Sequence, residues 1–109
     1  MKIHKLDQFW GGWFVGNFEP AIVKSEDFEV CVKHFAKGDA EPIHFQKTAW
    51  EITVVVSGRC KIGDFELGPG DIVKIDPMEP AGFLALSDCS VVAVKSPSVP
   101  ADKVLGEPQ

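Results

Sequence analysis

The stretch of sequence that decides the fold is Gly38–Gly58, GDAEPIHFQKTAWEITVVVSG. Within it, His44 and Gln46 are two residues apart, and residues two apart on a β-strand face the same side of the sheet. Glu51 opens a β-branched run typical of a following strand, and its carboxylate could reach the same point. An imidazole, an amide and a carboxylate are therefore predicted to converge at one place.

The rest of the chain has the same β character. Short runs rich in Val, Ile and Phe are separated by Gly, Pro, Asp and Ser, and no window of ten residues carries an apolar stripe at helical spacing. Many short strands at regular spacing indicate a sandwich or a barrel. The predicted strands are EVCVKHF (29–35), EITVVV (51–56), RCKI (59–62), FEL (65–67), IVKI (72–75), GFLAL (82–86) and CSVVAV (89–94).

The composition is that of one small domain and argues against several classes of partner. The chain has 109 residues, 45% of them apolar, and a net charge of −5. Its only arginine is Arg59 and no basic run exists, so we expect no nucleic-acid partner, because phosphate binding needs clustered basic residues. No apolar run is long enough to span a bilayer, and the first residues lack the apolar core of a secretory signal. We therefore expect a cytoplasmic protein with no membrane partner.

The cysteines support the same compartment. Cys31, Cys60 and Cys89 show no CxxC spacing, and an odd count does not close a disulfide framework. Each lies in or beside a predicted strand. We interpret them as small buried thiols in a reducing cytoplasm rather than as reactive or metal-ligating groups.

The two ends of the chain differ from its middle. The N-terminal segment, residues 9–24, begins FWGGWFVGNF and carries more aromatic surface than one short strand can bury alone. It is interpreted either as a strand folded over the barrel or as a homodimer contact or the wall of a pocket. The C-terminal segment, residues 96–109, contains three prolines and is expected to be an extended tail, packed at first and loose at its end.

The spacing within Gly38–Gly58 resembles the first conserved motif of the cupins, G-x5-H-x-H-x4-E-x6-G, at every fixed position except the second His, where Gln46 stands. The second cupin motif is matched by Gly70-Asp71 and a proline-rich turn, but Ala81 aligns with its metal-binding His. The resemblance covers roughly residues 28–95. It implies an all-β cupin double-stranded β-helix, a single-domain, jelly-roll-like antiparallel barrel with its site inside.

The same resemblance bears on the metal. A cupin metal is held by three imidazoles and one carboxylate, a set that suits Fe, Mn, Ni, Cu or Zn. Here only His44, Gln46 and Glu51 remain, and a neutral amide is a poorer donor than imidazole. Because tight structural sites usually have four ligands, we predict either no cofactor or a weakly bound divalent metal (Zn, Ni, Fe or Mn). His34 is the nearest residue that could add a ligand, although a lone His among apolar neighbours is more often a hydrogen-bonded core or rim residue.

Without a metal, the same residues predict a polar cluster that binds a small molecule. His44 and Glu51 could form an acid/base pair if they lie within hydrogen-bond reach. Phe45 and Trp50 could offer flat faces to a sugar ring, although alternate strand positions more often fill the core.

Three hypotheses of function follow from these residues. The first is a cupin that binds a small polar molecule, with a carbohydrate as one candidate, without a tightly bound metal. The second is a metal-dependent dioxygenase or isomerase that uses His44, Gln46 and Glu51. The third is a non-catalytic dimeric module whose barrel is filled. Fold does not imply function, so the choice depends on the site.

Overall fold

A computed structural model describes all residues from 1 to 109 as two facing β-sheets. Two short 3-10 turns, Leu6–Gln8 and Trp10–Gly12, precede the strands, and no helix is long and apolar enough to cross a membrane. The strands are β1 (Trp13–Gly16), β2 (Val23–Lys24), β3 (Glu29–Phe35), β4 (Ala40–Gln46), β5 (Trp50–Ser57), β6 (Cys60–Ile62), β7 (Phe65–Leu67), β8 (Ile72–Ile75), β9 (Ala81–Ala85), β10 (Cys89–Ser96) and β11 (Lys103–Leu105).

The strands form a six-stranded sheet in the order β2-β1-β3-β10-β5-β8 and a five-stranded sheet in the order β11-β4-β9-β6-β7. All neighbouring strands are antiparallel except β1 and β2. The all-β double-stranded arrangement confirms the predicted fold class. Each strand predicted from the sequence forms, with its ends displaced by at most two residues.

The space between the sheets is apolar at one end. A cluster of buried residues from both sheets fills that end, and Phe35 stacks on Phe83 beside it with ring centroids 4.2 Å apart. The cluster consists of Val55, Cys60, Ile62, Ala85, Cys89 and Val91. This packing closes one end of the barrel and leaves the other end to polar side chains.

All three cysteines are buried and unpaired, as predicted. Cys60 and Cys89 lie in the apolar cluster, where burial raises the pKa of each thiol. Burial in the middle of the barrel raises the pKa of the Cys31 thiol from 9.0 to about 12. Neutral thiols at neutral pH agree with a packing role for these residues.

Both ends of the chain are built into the sheets. At the N-terminus, Trp13 pairs with Cys31 on β3 and its side chain reaches the barrel interior. At the C-terminus, β11 pairs with β4, so the segment expected to be an extended tail contributes a strand there. The carboxylate of Asp102, which is only 6% exposed, accepts hydrogen bonds from the backbone N–H groups of Thr48 and Ala49. These bonds fix the C-terminal segment to the turn between β4 and β5.

Candidate functional site

A cavity of about 160 Å³ lies between the two sheets, at the polar end of the barrel. The six-stranded sheet contributes apolar groups together with Lys33, Glu51 and Lys95. The five-stranded sheet contributes residues of β4 and β9, together with Lys103 of β11. The mixture of ionic and apolar lining is typical of small-molecule sites.

A β-bulge in β4 brings a carboxylate and an imidazole into this cavity. Glu41 pairs with Phe83 and His44 with Ala81, and the register between β4 and β9 shifts between the two pairs. Regular alternation would send residues three apart to opposite faces, but both side chains line the cavity because of the shift. Pro42 lies within the irregular stretch, where its missing N–H disrupts no regular pairing.

The imidazole of His44 is held by a backbone carbonyl. Its Nδ1 lies 2.9 Å from the carbonyl oxygen of Pro42, which can only accept, so Nδ1 carries the proton and donates. In the neutral ring, Nε2 then keeps its lone pair. His44 can therefore accept a hydrogen bond from a ligand hydroxyl or bind a metal through Nε2.

Gln46 is the buried polar group without a partner. Its side chain lines the cavity, the residue is 5% exposed, and its Nε2 has no hydrogen-bond partner. Buried amide groups are normally satisfied. An acceptor supplied from within the cavity would remove the deficit.

Glu51 is already engaged by protein groups. Its Oε2 accepts a hydrogen bond from the Thr53 hydroxyl at 3.3 Å, and its Oε1 lies 3.9 Å from the ammonium Nζ of Lys95. Lys95 pairs with Glu51 on one neighbouring strand and with Glu29 on the other, where the ammonium lies 3.6 Å from Oε1. The three residues form a carboxylate–ammonium–carboxylate row across β3, β10 and β5.

A second ionic group joins the two sheets, with Lys33 on the six-stranded sheet and Glu41 and Lys103 on the five-stranded sheet. Lys33 Nζ is 3.7 Å from Oε1 of Glu41, and Lys103 Nζ is 3.9 Å from Oε2 of the same carboxylate. The Trp13 ring lies beside both ionic groups, with its centroid 5.6 Å from the ammonium of Lys33 and 4.7 Å from that of Lys95. Both distances are in the range of cation–π attraction.

These residues do not fit a tightly held metal ion. Ala81 lies directly opposite His44 across β4 and β9 and offers only a methyl group where the motif has a ligand. No group of three or more His, Cys, Asp or Glu side chains could hold a metal. The Lys95 ammonium beside Glu51 repels a divalent cation from that carboxylate.

Comparisons with known proteins give the fold. No protein-family model matches the chain, and no curated protein sequence matches it. Its structure is similar to a Klebsiella pneumoniae protein with a double-stranded β-helix domain (TM-score 0.73, 21% identity, covering 98% of this chain and 93% of that one). It is also similar to an RmlC-like cupin from Shewanella frigidimarina (TM-score 0.61, 18% identity, 71% of each chain). This chain has the cupin fold.

A third similar structure is an oxalate oxidase in complex with the substrate analogue glycolate. Its TM-score is 0.65 at 18% identity, and the match covers 72% of this chain and 46% of that one. At these identities the likeness extends to the cupin barrel and not to a particular activity.

The cupin barrel brings together three of the five residues assigned to the site from the sequence. His44, Gln46 and Glu51 all line the cavity. Phe45 and Trp50 do not: Phe45 is buried on the other face of β4, opposite Val104, and Trp50 lies opposite Ser96. Their side chains alternate with the inward-facing ones, so neither is placed to stack on a ligand in the cavity.

His34 also lies outside the cupin cavity. It faces Ser90 across β3 and β10, with Nδ1 2.6 Å from the serine hydroxyl. Residues that line the cavity from this strand are Cys31, Lys33 and Phe35, which have the opposite parity. His34 therefore adds no ligand to the site.

The cavity-lining lysines were missed from the sequence, although two of them gave a signal. Lys33 is two residues after the buried Cys31, and Lys95 is two residues after the buried Ala93, so each occupies an inward position in a strand of otherwise apolar residues. A charged residue at such a position indicates a site. Lys103 gave no signal, because its place depends on the pairing of β11 with β4.

Proposed function

We propose that this cupin barrel binds a small polar molecule between its sheets without a tightly bound metal. The observation that supports the proposal best is the buried Nε2 of Gln46, which has no partner beside the cavity. Leaving such a donor unsatisfied costs about 1–3 kcal/mol. A ligand oxygen in the cavity that accepts a hydrogen bond from Nε2 would recover that energy. Apolar side chains or an apolar ligand would not.

The volume of the cavity bounds the ligand. Drug-sized pockets begin at about 300 Å³, and an engineered cavity of about 150 Å³ holds benzene. A cavity of about 160 Å³ therefore suits a compound with on the order of six to eight non-hydrogen atoms. The complex of a similar barrel, oxalate oxidase, with glycolate supports a ligand of this size.

A carbohydrate remains one candidate within the small polar class. It would not stack on Phe45 or Trp50, since neither lines the cavity, but Trp13 presents an aromatic ring there. A full pyranose ring exceeds the size estimate, so an open-chain or shorter polyol fits this volume better. The acid/base pair suggested for His44 and Glu51 is less supported, because Thr53 and Lys95 already engage the carboxylate.

The alternative is a metal-dependent enzyme, a dioxygenase or isomerase, that holds a divalent ion with His44, Gln46 and Glu51. The Nδ1–H bond to Pro42 favours it, since metal-binding histidines commonly donate their other ring N–H in this way. Ala81 and the ammonium of Lys95 oppose it. Binding of Zn, Ni, Fe or Mn at this site is therefore expected to be weak.

Metal analysis separates these two functions. Protein purified without chelator or added metal should contain much less than one equivalent of any divalent ion. Titration with Zn²⁺, Ni²⁺ or Mn²⁺ should show weak binding that His44→Ala abolishes. Stoichiometric metal in the purified protein, lost in His44→Ala, would contradict the metal-free proposal.

Ligand binding is tested separately by NMR titration with a panel of small polar compounds. We expect shifts of the Gln46 side-chain amide and the Trp13 indole N–H, and loss of these shifts in Ala81→Leu, which fills the cavity. A second variant, Leu84→Ala, changes an exposed residue of the same strand that does not line the cavity, and it should bind as the unmodified chain does. A panel that moves no cavity resonance would overturn the proposal.

The third hypothesis is a non-catalytic dimeric module whose barrel is filled. The cavity itself counts against a filled barrel. A homodimer through the N-terminal segment is compatible with ligand binding. The 82% exposure of Trp10 supports such a dimer, because exposed aromatic side chains are enriched at protein–protein interfaces. Light scattering of the unmodified chain and of Trp10→Ala would decide whether a dimer forms there.

A cytoplasmic location is proposed on the cysteines. All three are unpaired and buried, which a reducing compartment favours. Localisation of a tagged protein in its own cell would test this.

A further inference from the structure

We propose that the ligand is a small carboxylate anion bound by the ammonium groups of Lys33 and Lys103 and by the amide of Gln46. This inference rests on the proposed small-molecule function and adds the chemical class of the ligand. Three features support it: the local excess of positive charge at Lys33 and Lys103, the absence of a close carboxylate at their ammonium groups, and the unpartnered amide of Gln46.

The charge balance favours an anion. The cavity is lined by three ammonium groups and two carboxylates, and a third carboxylate, that of Glu29, lies beside Lys95. Lys95 is compensated within its own row, because it lies between Glu29 and Glu51. Lys33 and Lys103 instead share the single carboxylate of Glu41, so this part of the cavity carries one positive charge in excess. An added carboxylate beside these two lysines would neutralise that group.

The ammonium groups also lack close acceptors. An ammonium–carboxylate hydrogen bond normally measures about 2.7–2.9 Å. Glu41 lies 3.7 Å from the Nζ of Lys33 and 3.9 Å from that of Lys103, and each ammonium carries three donors. The Lys33 side chain is 26% exposed, so bulk water satisfies it only in part, whereas the Lys103 side chain is 44% exposed and is better hydrated. Carboxylate oxygens within the cavity could supply the missing acceptors.

The fold places the third donor beside these lysines. Lys103 pairs directly with Gln46 across β11 and β4, so the two side chains lie on the same face. Gln46 Nε2 is the buried side-chain donor with no partner, and Gln46 lines the same cavity as Lys103. His44 lies two residues before Gln46 on β4, and its Nε2 can accept a hydrogen bond because Nδ1 carries the proton. A hydroxyl group on the same ligand would therefore find an acceptor, which narrows the class to small hydroxycarboxylates.

The test compares glycerate with its uncharged relatives glyceramide and glycerol. NMR titration follows the Trp13 indole N–H and the Gln46 side-chain amide. We expect glycerate to shift both resonances and the two neutral compounds to bind at least about tenfold more weakly, since the charge-assisted hydrogen bonds are lost. Added salt should weaken glycerate binding and leave glycerol unaffected.

The lysine variants identify the binding groups. Lys33→Met and Lys103→Met should each weaken glycerate binding by about tenfold, whereas Lys103→Arg should retain most of it. Lys61→Met is the matched control, because Lys61 is exposed on β6 and lies away from the cavity. If Lys33→Met does not fold, Lys103→Met still tests the inference. The Lys103 side chain is 44% exposed, so we expect the fold to tolerate its replacement.

The outcomes separate the two proposals. Equal binding of glycerate and glyceramide, unchanged in both lysine variants, would overturn the anion inference and leave the small-molecule function standing. A panel of small polar compounds, charged and neutral, that moves neither resonance would overturn both.

Discussion

The ammonium Nζ of Lys95 lies 3.9 Å from Oε1 of Glu51, its direct partner across β10 and β5. In the cupin motif that this chain resembles, the position of Glu51 supplies a carboxylate to a metal, whereas in this structure the nearest cation is the ammonium of a lysine on the neighbouring strand. Gln46 and Ala81 stand at the two positions where that motif has imidazoles. A covalently attached positive charge thus balances a carboxylate that would otherwise be buried alone.

Lys95→Met should destabilise the fold by about 2 kcal/mol, because it leaves the mostly buried carboxylates of Glu29 and Glu51, one on each side of β10, without their shared cation. Urea unfolding at neutral pH measures the change. Lys74→Met removes a solvent-exposed ion pair with Asp76 and should cost less than about 0.5 kcal/mol. Equal stability of the two variants would mean that the row of charges contributes nothing to folding.

Two substitutions would give the cavity the imidazoles of the cupin motif. Gln46→His combined with Ala81→His should raise the affinity for Ni²⁺ or Zn²⁺ by at least about hundredfold, because Ala81 lies opposite His44 and the pair of changes completes an imidazole set. Lys95→Met added to this variant should raise affinity further by removing the repelling charge. Isothermal titration gives the affinities, and Gln46→His alone is the control. A double variant that binds no better than the single one would refute this account of the site.

The sequence predicted the barrel better than it predicted the site. Strand periodicity and turn residues are local, and they placed β3 and β7 at their observed bounds. The spacing of His44, Gln46 and Glu51 also brought three cavity residues together, because two of them share one strand and the third begins the next.

What the sequence did not reveal depends on pairing between distant segments. The β-bulge that turns Glu41 inward is set by the register of β4 on β9, and Lys103 enters the cavity only because β11 pairs with β4. Phe45 and Trp50 were assigned to the site because they are neighbours of His44 and Glu51 in sequence, yet alternation sends adjacent residues to opposite faces.

Two glycines of the cupin-like motif should respond differently to substitution by alanine. Both have positive φ, +92° at Gly38 and +75° at Gly58, so each substitution costs about 1 kcal/mol in backbone conformation. A Cβ at Gly58 would also lie 2.0 Å from the carbonyl oxygen of Asp88, whereas a Cβ at Gly38 meets nothing within 4 Å. We expect Gly58→Ala to lower the midpoint of thermal unfolding far more than Gly38→Ala. Similar midpoints would show that the chain near Asp88 moves freely to admit the methyl group.

Cys31 should make the fold sensitive to alkali. Burial raises the pKa of its thiol from 9.0 to about 12, so above pH 9 the unfolded chain loses a proton that the folded chain retains. The free energy of unfolding should therefore fall by about 1.4 kcal/mol per pH unit through this group as the pH rises from 9 towards 12, whereas below pH 9 the contribution is constant. Cys31→Ala removes the group, and its unfolding free energy should decline less steeply between pH 9 and 11. Because the two proteins share every other ionisable group, the difference between the two curves isolates the thiol. Parallel curves would mean that Cys31 ionises as readily in the folded barrel as in the unfolded chain.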